Sequence, residues 1–527
     1  MRDLIVAVDI GTGSARAGVF DRSGALLGRS EHAIAMRRPA ADYAEHDSED
    51  IWKATCAAVR GAVAASGVDA SRVAALGVDA TCSLVMRDTE GRPLAVSGAD
   101  DHWDTIVWLD HRALREADIC TETAHPVLAH SGFVMSPEMQ MPKLMWLKRH
   151  QPEQWARAGY VFDLADFITW RATGSNARSR CTMTAKWCYL SHEAKPWNES
   201  FLEVIGLEDM DRRGLLPHDI LAAGEAVGQL TPQAAADLGL DAGCVVATGL
   251  IDAYAGTLGL LGPFAGEPEK LERQLALIGG TSSCIAAFAR DKKFGHGTWG
   301  PYYEVLLPEW WLVEAGQSAT GALLDHIVRS HSAGGEPSTR NHARIVARIR
   351  EMLEEEGVAL AARMHVLPDF HGNRAPLADP HALGVISGLT LDASFDGLCR
   401  LYWRTCVAIA LGIRHILETF GERGYRFDTL HVAGGHVRNP LLMELYRDVT
   451  GCRVVVPETE DSVLLGTAMV AAVAGGLHAD LSEAGAAMYP GGPAFLPDPA
   501  RKAGYDRDYK RFLALHRHRA ELENLDV

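Results

Sequence analysis

Two stretches of this chain share one pattern, in which an apolar run meets a turn of glycine and hydroxyl residues and a second apolar run follows. They are VAVDIGTGSARAGVFD, residues 6 to 21, and LALIGGTSSCIAAFARD, residues 275 to 291. The second run alternates like a strand, so each stretch is predicted to form a β-hairpin. This excludes a dinucleotide fingerprint, which must open a helix after its strand. Two such hairpins about 270 residues apart predict two domains of similar design with a cleft between them.

The turns of these hairpins are suited to an anion. Glycine allows backbone N–H groups to face an anion, and neighbouring hydroxyl groups add donors. Asp9, at the end of the first run, is placed to hold a hydrated divalent cation beside that anion. A plain β-turn is the alternative for either turn taken alone. The residues predicted to bind the anion are Gly11, Thr12, Gly13, Ser14 and Arg16 in the first hairpin and Gly280, Thr281 and Ser282 in the second.

Composition and charge exclude several classes of partner. A chain of 527 residues is too long for one core, and its 47% hydrophobic and 23% charged residues are ordinary for a globular protein. A net charge of -17 argues against binding to nucleic acid or to an anionic membrane. No apolar stretch reaches the roughly 18 residues that a membrane helix needs. The ten cysteines show no CxxC spacing, which favours reduced thiols, and with no visible signal peptide a cytoplasmic location is expected.

Strand and helix patterns alternate along the chain and predict a mixed α/β fold. Residues 398 to 420 have helical spacing, and TLHVAGG at 429 to 435 is a buried strand that ends in Gly434 and Gly435. Asn439, followed by a proline, is predicted to cap the next helix. The glycine pair allows an adenine or ribose to lie against the backbone, and close packing of strand against helix is the alternative.

One carboxylate stands in an apolar setting. Asp252 lies within GLIDAYAGTLGLL, residues 249 to 261, where a charge is costly unless it is paired or used. At a cleft it could accept a proton from an alcohol that attacks phosphorus. The alternative is an N-cap for the helix that follows, and the two roles are compatible. The Gly-rich segment 261 to 268 is the predicted connection between the domains, which are placed at residues 1–262 and 263–527.

A set of polar residues is predicted to line a sugar pocket, because many hydroxyl groups need a mixture of donors and acceptors. Each residue taken alone is more often on the surface or in a salt bridge. No GxxxxGK[ST] motif occurs, so nucleotide binding must rest on the two hairpins. The set consists of Thr81, Cys82, Ser83, Asp110, Arg112, Lys186 and Glu314.

Seven segments in order along nearly the whole chain resemble the FGGY carbohydrate kinases, members of the wider sugar kinase, actin and Hsp70 class. They are DIGTGSARAGVFD at the start, MPKLMWLKRHQPE (141–153), FDLADFITWRATG (162–174), GLIDAYAG from 249, IGGTSSC from 278, NRAPLADPHALGVISGLTL (373–391) and VAGGHVRNPLL from 432. The resemblance implies two actin-like, ribonuclease-H-like ATPase domains flanking a cleft. Within the family, GVDATCSLV at 77 to 85 resembles the ribulokinase branch, whereas xylulokinases and glycerol kinases usually carry a glutamine where this chain has Thr81.

The resemblance also implies a role for each matching residue. Asp252 matches the base that deprotonates the sugar hydroxyl, and Asp9 matches the residue that holds Mg²⁺ through water. The hairpin turns match the contacts with the β- and γ-phosphates of ATP. Lys186 and Glu314 resemble positions that contact the ketopentose. The residues that match the adenosine site are Gly434, Gly435 and Asn439.

The sequence therefore predicts an ATP-dependent kinase that phosphorylates the terminal hydroxyl of a ketopentose, with D-ribulose as the first choice. Ribitol and L-ribulose remain open as acceptors, because the position of one hydroxyl decides between them. A nucleotide-dependent sugar sensor without catalysis is the alternative from another class, since fold does not fix function. The expected partners are the sugar and ATP, with Mg²⁺, and the resemblance allows a homodimer.

Overall fold

The structure is a computed structural model that describes residues 2–459 and 461–525. The strands of the first half are β1 Leu4–Ile10, β2 Ser14–Asp21, β3 Leu26–Ala33, β4 Met36–Arg37, β5 Glu45–His46, β6 Val73–Ala80, β7 Leu84–Asp88, β8 Thr105–Ile106, β9 Ala158–Asp163, β10 Arg178–Ser179, β11 Ile220–Leu221, β12 Ala226–Gln229, β13 Val245–Ala247 and β14 Leu250–Ile251. Those of the second half are β15 Gln274–Gly279, β16 Ser283–Ala289, β17 Trp299–Tyr303, β18 Trp311–Gln317, β19 His365–Leu367, β20 Val385–Ser387, β21 Thr429–Gly434, β22 Arg453–Val455 and β23 Ala494–Phe495.

The helices alternate with these strands. In the first half they are α1 Ser48–Ser66, α2 Leu114–Glu122, α3 Gln140–His150, α4 Pro152–Arg157, α5 Leu164–Thr173, α6 Arg180–Lys186, α7 Glu199–Val204, α8 Asp209–Arg212, α9 Pro232–Leu238 and α10 Asp252–Leu261. In the second half they are α11 Pro268–Leu271, α12 Gly321–Ser330, α13 Thr339–Glu356, α14 Phe395–Glu422, α15 Pro440–Thr450, α16 Ser462–Ala474, α17 Leu481–Met488 and α18 Pro499–Glu523.

Both predicted hairpins form, and each lies at the centre of a large mixed sheet. Strand β1 pairs antiparallel with β2 and parallel with β6, while β15 pairs antiparallel with β16 and parallel with β21. The first sheet has the order β12-β13-β6-β1-β2-β3, with β14 also beside β6, and the second has the order β17-β18-β16-β15-β21-β22-β23. The two halves of the chain therefore repeat one design, which confirms the predicted two-domain α/β fold.

A third sheet carries part of the sugar-pocket sequence. Its five strands have the order β4-β5-β8-β7-β9, and β7 enters it directly after the TCS segment that follows β6. The chain thus leaves the first large sheet at Ala80 and turns into the smaller sheet at Leu84. This change of sheet places residues 81–83 at the junction between the two sheets.

Helices α10 and α16 pack against each other between the two large sheets. Helix α10 contacts β15 and β21 of the second sheet, whereas α16 contacts β1 and β6 of the first. Glycine permits this close crossing, because a Cβ at Gly466 would lie 1.9 Å from the Ala255 carbonyl oxygen and a Cβ at Gly259 would lie 2.0 Å from that of Ser462. One continuous apolar core includes both helices and the inner faces of both sheets.

The predicted helix at 398–420 and the predicted strand at 429–435 are confirmed, with ends that differ by a few residues. Helix α14 extends beyond the predicted 398–420 at both ends, and β21 ends at Gly434. Helix α15 begins after Asn439, whose side chain accepts a hydrogen bond from the Leu441 N–H. The boundary predicted at residues 262 and 263 falls in the 3-10 turn Gly262–Phe264 and stays a prediction. Within residues 2–459 and 461–525, no helix is both long and apolar enough to span a membrane.

The helix crossing generates a stability prediction. We expect Gly466→Ala to destabilise the protein by about 1–3 kcal/mol, because the added methyl group overlaps the backbone of α10 and the packed core has no room to move it. The matched control is Gly421→Ala, another helical glycine, where a Cβ meets no atom within 4 Å. That change is expected to be neutral or to stabilise by up to about 1 kcal/mol. Thermal unfolding midpoints of the two variants check this, and equal shifts would contradict it.

Candidate active site

A cleft of about 490 Å³ is lined by Asp9 and Arg16 from the strands of the first hairpin, by the turn of the second hairpin and by the first residues of α10 and α16. The N-terminus of a helix favours negative charge, so two helix ends directed at one cleft suit an anionic ligand. The lining residues come from both halves of the chain. They are Asp9, Arg16, Arg29, Thr81, Cys82, Trp108, Glu138, Lys186, Ile251, Asp252, Ala253, Ile278, Gly279, Gly280, Thr281, Ser282, Cys284, Trp299, Glu314, Arg374, Val432, Ala433, Gly434, Gly435, Val437, Arg438, Val456, Pro457, Thr459, Asp461, Ser462 and Val463.

Asp9 lies at the floor of this cleft and forms an ion pair with Arg16. Its residue is 1% exposed, and among the described residues its oxygens have no partner besides the Arg16 guanidinium, which contacts Oδ2. Burial raises the pKa of Asp9 to about 7, although Arg16 opposes the shift. The register pairs Asp9 with Asp79 of β6, whose Oδ1 likewise has no hydrogen-bond partner within residues 2–459 and 461–525. The Oδ1 atoms of these two buried carboxylates fit a hydrated Mg²⁺, which prefers one or two carboxylates together with water and phosphate oxygens.

The first hairpin turn is closed by its own backbone and tied to its surroundings by its hydroxyl groups. Gly11 donates its N–H to the Ser14 carbonyl at 3.0 Å. The Thr12 hydroxyl accepts a bond from the Trp108 indole at 2.9 Å, and the Ser14 hydroxyl donates to Glu31 at 2.7 Å. These hydroxyl groups therefore have partners within the protein, and the residues of this turn do not line the cleft. A role in phosphate binding stays a prediction for them.

The second hairpin turn does line the cleft. Gly280 donates its N–H to the Ser282 carbonyl at 2.7 Å, while the Gly280 and Thr281 carbonyls accept bonds from Gly321 and Thr320 at 3.0 and 2.9 Å. Both carbonyls thus accept hydrogen bonds from the backbone at the start of α12. This arrangement leaves Gly280 and Thr281 exposed at the cleft.

His436 packs against the strand that carries this turn. A Cβ at Gly279 would lie 2.1 Å from His436 Nδ1, so only glycine fits at that position. The His436 ring makes hydrogen bonds with the Thr320 hydroxyl at 3.0 Å and the Tyr446 hydroxyl at 2.8 Å. Burial lowers the pKa of His436 to about 4, so the ring stays neutral near pH 7.

The glycine pair after β21 forms the other end of the cleft. Gly434 has φ +82°, and a Cβ there would lie 2.5 Å from the Gly279 carbonyl oxygen. Both Gly434 and Gly435 line the cleft, as do Val437 and Arg438, whereas Asn439 does not. The Asn439 amide instead caps α15, so its predicted contact with adenosine stays a prediction.

Asp252 is the first residue of α10 and lines the same cleft as the second hairpin turn and the Lys186–Glu314 pair. Ile251 holds the cap position, so the alternative that Asp252 is the N-cap is wrong by one residue. The Ala253 N–H donates to Asp252 Oδ1 at 2.7 Å and orients the carboxylate. Burial raises the pKa of Asp252, while this bond and the charges of Lys186 and Arg16 oppose the shift.

Lys186 and Glu314 face each other in the polar pocket, with 3.8 Å between Lys186 Nζ and Glu314 Oε2. Both side chains are about one twentieth exposed, at 4% and 5%. Burial opposes the charge on the lysine, but the surrounding acidic groups, of which Glu314 acts most strongly, together outweigh burial and raise the pKa of Lys186. The Tyr254 hydroxyl donates to the same Oε2 at 2.7 Å, so α10 positions Glu314 from beneath.

The TCS segment contributes two residues to the cleft and one to its support. Thr81 and Cys82 line the cleft. Ser83 is buried behind them, 3.1 Å from the Thr81 hydroxyl, and its own hydroxyl accepts a bond from the Trp108 N–H at 3.2 Å. The predicted contact of Ser83 with a sugar is therefore replaced by a contact with the backbone that carries Trp108.

Asp110 and Arg112 do not belong to the pocket, and the structure contradicts this part of the prediction. Arg112 Nη2 lies 2.7 Å from Asp110 Oδ2 and 2.8 Å from Glu45 Oε1, with all three side chains fully buried. The guanidinium also lies 4.1 Å from the centroid of the Tyr43 ring. The contact of Arg112 with Glu45 joins segments that are distant in sequence, and neither Asp110 nor Arg112 lines the cleft.

Several lining residues were missed by the sequence prediction. Glu138 precedes the MPKLMWLK segment, Trp299 opens β17, and Arg374 lies within the NRAPLADP segment. The only signal for Arg374 was a cation in a proline-containing loop, and single charged or aromatic residues are common on any surface. Asp461, the N-cap of α16, was also missed, because its hydrogen bonds to Val463 and Leu464 depend on where that helix begins.

Family models match both halves of the chain. The N-terminal domain of the FGGY family of carbohydrate kinases matches residues 4–259, and the C-terminal domain of the same family matches residues 275–475. The chain belongs to the FGGY family of carbohydrate kinases. It is accordingly an ATP-dependent sugar kinase. Part of the predicted site lines the cleft, including Asp9, Lys186, Asp252 and Glu314.

Relatives and solved structures resemble the chain over nearly its full length. A human FGGY carbohydrate kinase domain-containing protein is 42% identical, over 98% of this chain and 96% of the relative. A D-ribulokinase of Saccharomyces cerevisiae is 35% identical, over 89% of this chain and 71% of the relative. The crystal structure of a xylulose kinase from Rhodospirillum rubrum matches with a TM-score of 0.81 at 22% identity, over 98% and 99% of the two chains, which supports the fold alone.

The support beneath Glu314 generates a prediction. We expect Tyr254→Phe to destabilise the protein by about 1.5–3 kcal/mol, because a buried carboxylate loses a donor. Tyr302→Phe is the matched control, since the Tyr302 hydroxyl is buried nearby without a hydrogen-bond partner. Its removal is expected to be neutral or slightly stabilising. Thermal unfolding of both variants in the absence of ligands measures the difference. Equal unfolding midpoints for the two variants would show that the hydrogen bond to Glu314 does not stabilise the protein.

Proposed function

We propose that this protein transfers the γ-phosphoryl group of ATP to the terminal hydroxyl of D-ribulose, forming D-ribulose 5-phosphate. The observation that carries the proposal is that Asp252, at the start of α10, lines one cleft together with the exposed turn at Gly280 and with Lys186 and Glu314. In the proposal the turn binds the anion, Lys186 and Glu314 bind the hydroxyl groups, and the Asp252 carboxylate acts where the two ligands meet. Phosphoryl transfer to an alcohol requires that arrangement.

In the proposed reaction, the terminal hydroxyl oxygen attacks the γ-phosphorus and the bond to the β–γ bridging oxygen breaks. Asp252 accepts the proton of that hydroxyl, and ADP leaves with the electrons of the broken bond. The N–H of Ala253 holds one carboxylate oxygen in place at 2.7 Å. The raised pKa of Asp252 makes the carboxylate a better proton acceptor than an exposed aspartate.

The sugar is proposed to lie over the Lys186–Glu314 pair. The Lys186 ammonium donates hydrogen bonds and the Glu314 carboxylate accepts them. The pair can therefore bind two neighbouring oxygens of the sugar, one of which accepts from Lys186 while the other donates to Glu314. Thr81 and Cys82 form the adjacent wall. Tyr254 occupies part of the hydrogen-bonding capacity of Glu314 and fixes its direction.

The triphosphate is proposed to lie along the second hairpin turn, with the adenosine beside Gly434 and Gly435. Asp9 would hold Mg²⁺ through water, because no described residue donates a hydrogen bond to its buried Oδ1. Bound there, the metal ion would neutralise charge on the β- and γ-phosphates. The N-terminus of α16 directs backbone N–H groups into the same region, although Asp461 occupies two of them.

D-Ribulose is chosen as acceptor on two grounds. Thr81 stands where the resemblance places a glutamine in xylulokinases and glycerol kinases, and Thr81 and its neighbour Cys82 line the cleft. The yeast relative at 35% identity is named a D-ribulokinase, which supports this choice. Ribitol differs from D-ribulose only at C2, where a hydroxyl replaces the carbonyl, and L-ribulose is its mirror image, with both C3 and C4 inverted, so both are competing acceptors. A homodimer remains part of the proposal and rests on the family alone.

An acceptor panel tests the proposed substrate. Purified protein with ATP and Mg²⁺ is expected to show the highest kcat/KM for D-ribulose when compared with L-ribulose, ribitol, D-xylulose and glycerol. A preference of about tenfold corresponds to about 1.4 kcal/mol, well within what one hydrogen bond to a hydroxyl supplies. Such a preference for D-xylulose or glycerol would overturn the choice. Release of ADP that does not depend on any sugar would point to a plain ATPase or to a nucleotide-dependent sensor.

Substitution of the proposed base gives a second test. Asp252→Asn is expected to lower kcat by about 10²-fold or more, because an amide cannot accept the proton. The amide oxygen can still accept the Ala253 N–H, so the fold and sugar binding should persist. The control measurement is the rise in thermal unfolding midpoint produced by D-ribulose, which should be similar in the variant and the parent protein. Near-normal turnover in the variant would remove Asp252 from the proton-transfer step.

A further inference from the structure

Glu138 and Arg374 form a contact across the cleft that the sequence analysis did not predict. Arg374 Nη2 lies 3.1 Å from Glu138 Oε1 and 3.5 Å from Oε2. The two residues are 236 positions apart and lie in the segments matched by the N-terminal and C-terminal family domains, respectively. Their side chains are 14% and 15% exposed, and both line the cleft. The pair is therefore a bridge between the two halves that remains open to a ligand.

The loop that carries Arg374 is held in a defined shape. Asn373 and Asp379 exchange backbone hydrogen bonds at 2.8 and 2.9 Å, which closes the loop beyond Arg374. The Asn373 side chain donates to Asp369 at 2.9 Å, and Asp369 in turn forms an ion pair with Arg519 of α18. These contacts fix the backbone on both sides of Arg374, so its guanidinium is preorganised rather than a freely moving surface group.

An aromatic surface lies between this bridge and the Lys186–Glu314 pair. Lys186 Nζ lies 4.5 Å from the centroid of the Trp299 ring, and the Arg374 guanidinium carbon lies 5.4 Å from it. Trp299 is half-buried and lines the cleft. An indole face beside polar groups is a common support for the carbon-bound hydrogens of a polyol, so the pocket continues past Lys186 toward Arg374.

The bridge and the Lys186–Glu314 pair are connected by the Trp299 ring. Lys186 Nζ lies 3.8 Å from Glu314 Oε2, and Lys186 and Arg374 both lie against Trp299. Asp252 lines the same cleft as these residues. An acceptor that places one end at Asp252 and lies over the Lys186–Glu314 pair would therefore extend along Trp299 toward Glu138 and Arg374.

We propose that the Glu138–Arg374 bridge is a specificity element of the acceptor site, which binds the hydroxyl groups at the end of the sugar farthest from Asp252. This inference rests on the proposed function and adds a basis for selection by chain length. A guanidinium has five N–H donors and a carboxylate has about four acceptor positions, so the bridge leaves capacity for further hydrogen bonds. A hydroxyl group, which both donates and accepts, can use each side of the bridge at once.

The geometry also distinguishes this role from support of the fold alone. A half-buried ion pair loses much of its attraction to desolvation and contributes little to stability by itself. A second ion pair between the two halves, Arg180 with Glu304, does not line the cleft. It provides a matched control, because its side chains are 26% and 22% exposed and it joins the same two segments without reaching the pocket.

The test compares a five-carbon with a three-carbon acceptor in Arg374→Gln and in Arg180→Gln. We expect Arg374→Gln to raise the KM for D-ribulose about tenfold or more, the range of a lost hydrogen bond from a charged group, while kcat changes little. The KM for glycerol should change less than about twofold, because a three-carbon chain at Asp252 does not reach the bridge. Arg180→Gln should leave the ratio of the two kcat/KM values at the parent level.

Two further variants separate the parts of the bridge. Arg374→Lys keeps the charge but not the fork of donors, so an intermediate rise in the KM for D-ribulose is expected. Glu138→Gln keeps the shape and one acceptor, and a smaller rise of about twofold to fivefold is expected. Equal losses for D-ribulose and glycerol in Arg374→Gln would overturn the inference, since they would reflect general closure of the cleft. The same discrimination in Arg180→Gln would overturn it as well.

Failure of the proposed function is distinguishable from failure of this inference. If the parent protein phosphorylates none of these polyols, the measurement becomes the rise in thermal unfolding midpoint caused by ribitol and by glycerol. A rise with ribitol that Arg374→Gln abolishes, while the rise with ATP remains, supports the bridge even then. A rise with ribitol that Arg374→Gln leaves unchanged, or no rise in the parent protein, overturns it.

Discussion

The crossing of α10 and α16 is the constraint on which the site depends. Each helix comes from one half of the chain and packs on the sheet of the other half, and glycines at 259 and 466 allow backbone to approach backbone. This crossing fixes where both helices begin, and both begin at the cleft. Asp252 therefore enters the site as the first residue of α10, and Asp461 as the cap of α16. The same helix crossing therefore positions both the proposed base and the N-terminus of α16.

Charge in the cleft is balanced by contacts between the two halves. Arg16 neutralises Asp9, Lys186 faces Glu314, and Arg374 pairs with Glu138. The last two pairs each join the segments matched by the two family domains. Buried charges are costly when a partner is absent, so the polar pocket is complete only when the halves are together. A sugar and a nucleotide bound on opposite sides of Asp252 would therefore meet in one closed, water-poor site.

Local patterns were sufficient for the elements that depend on neighbouring residues. Both hairpins, the strand that ends at Gly434 and the helix capped by Asn439 were predictable, because turn glycines, alternation and caps act over a few positions. The pocket was predicted only in part. Asp110 and Arg112 belong instead to a buried ion-pair network with Glu45, and a carboxylate–arginine pair has the same sequence signature in a core as at a site.

The sequence by itself determined the repeated hairpin design, the two-domain α/β fold and the likeness to the FGGY family, because these are written in short motifs of glycine, hydroxyl and carboxylate residues. Only the tertiary structure decided which side chains share the cleft. Glu138, Trp299 and Arg374 come from separate loops and meet because the two halves pack through α10 and α16. Sequence spacing carries no information about such a meeting, since it depends on how distant sheets and helices pack.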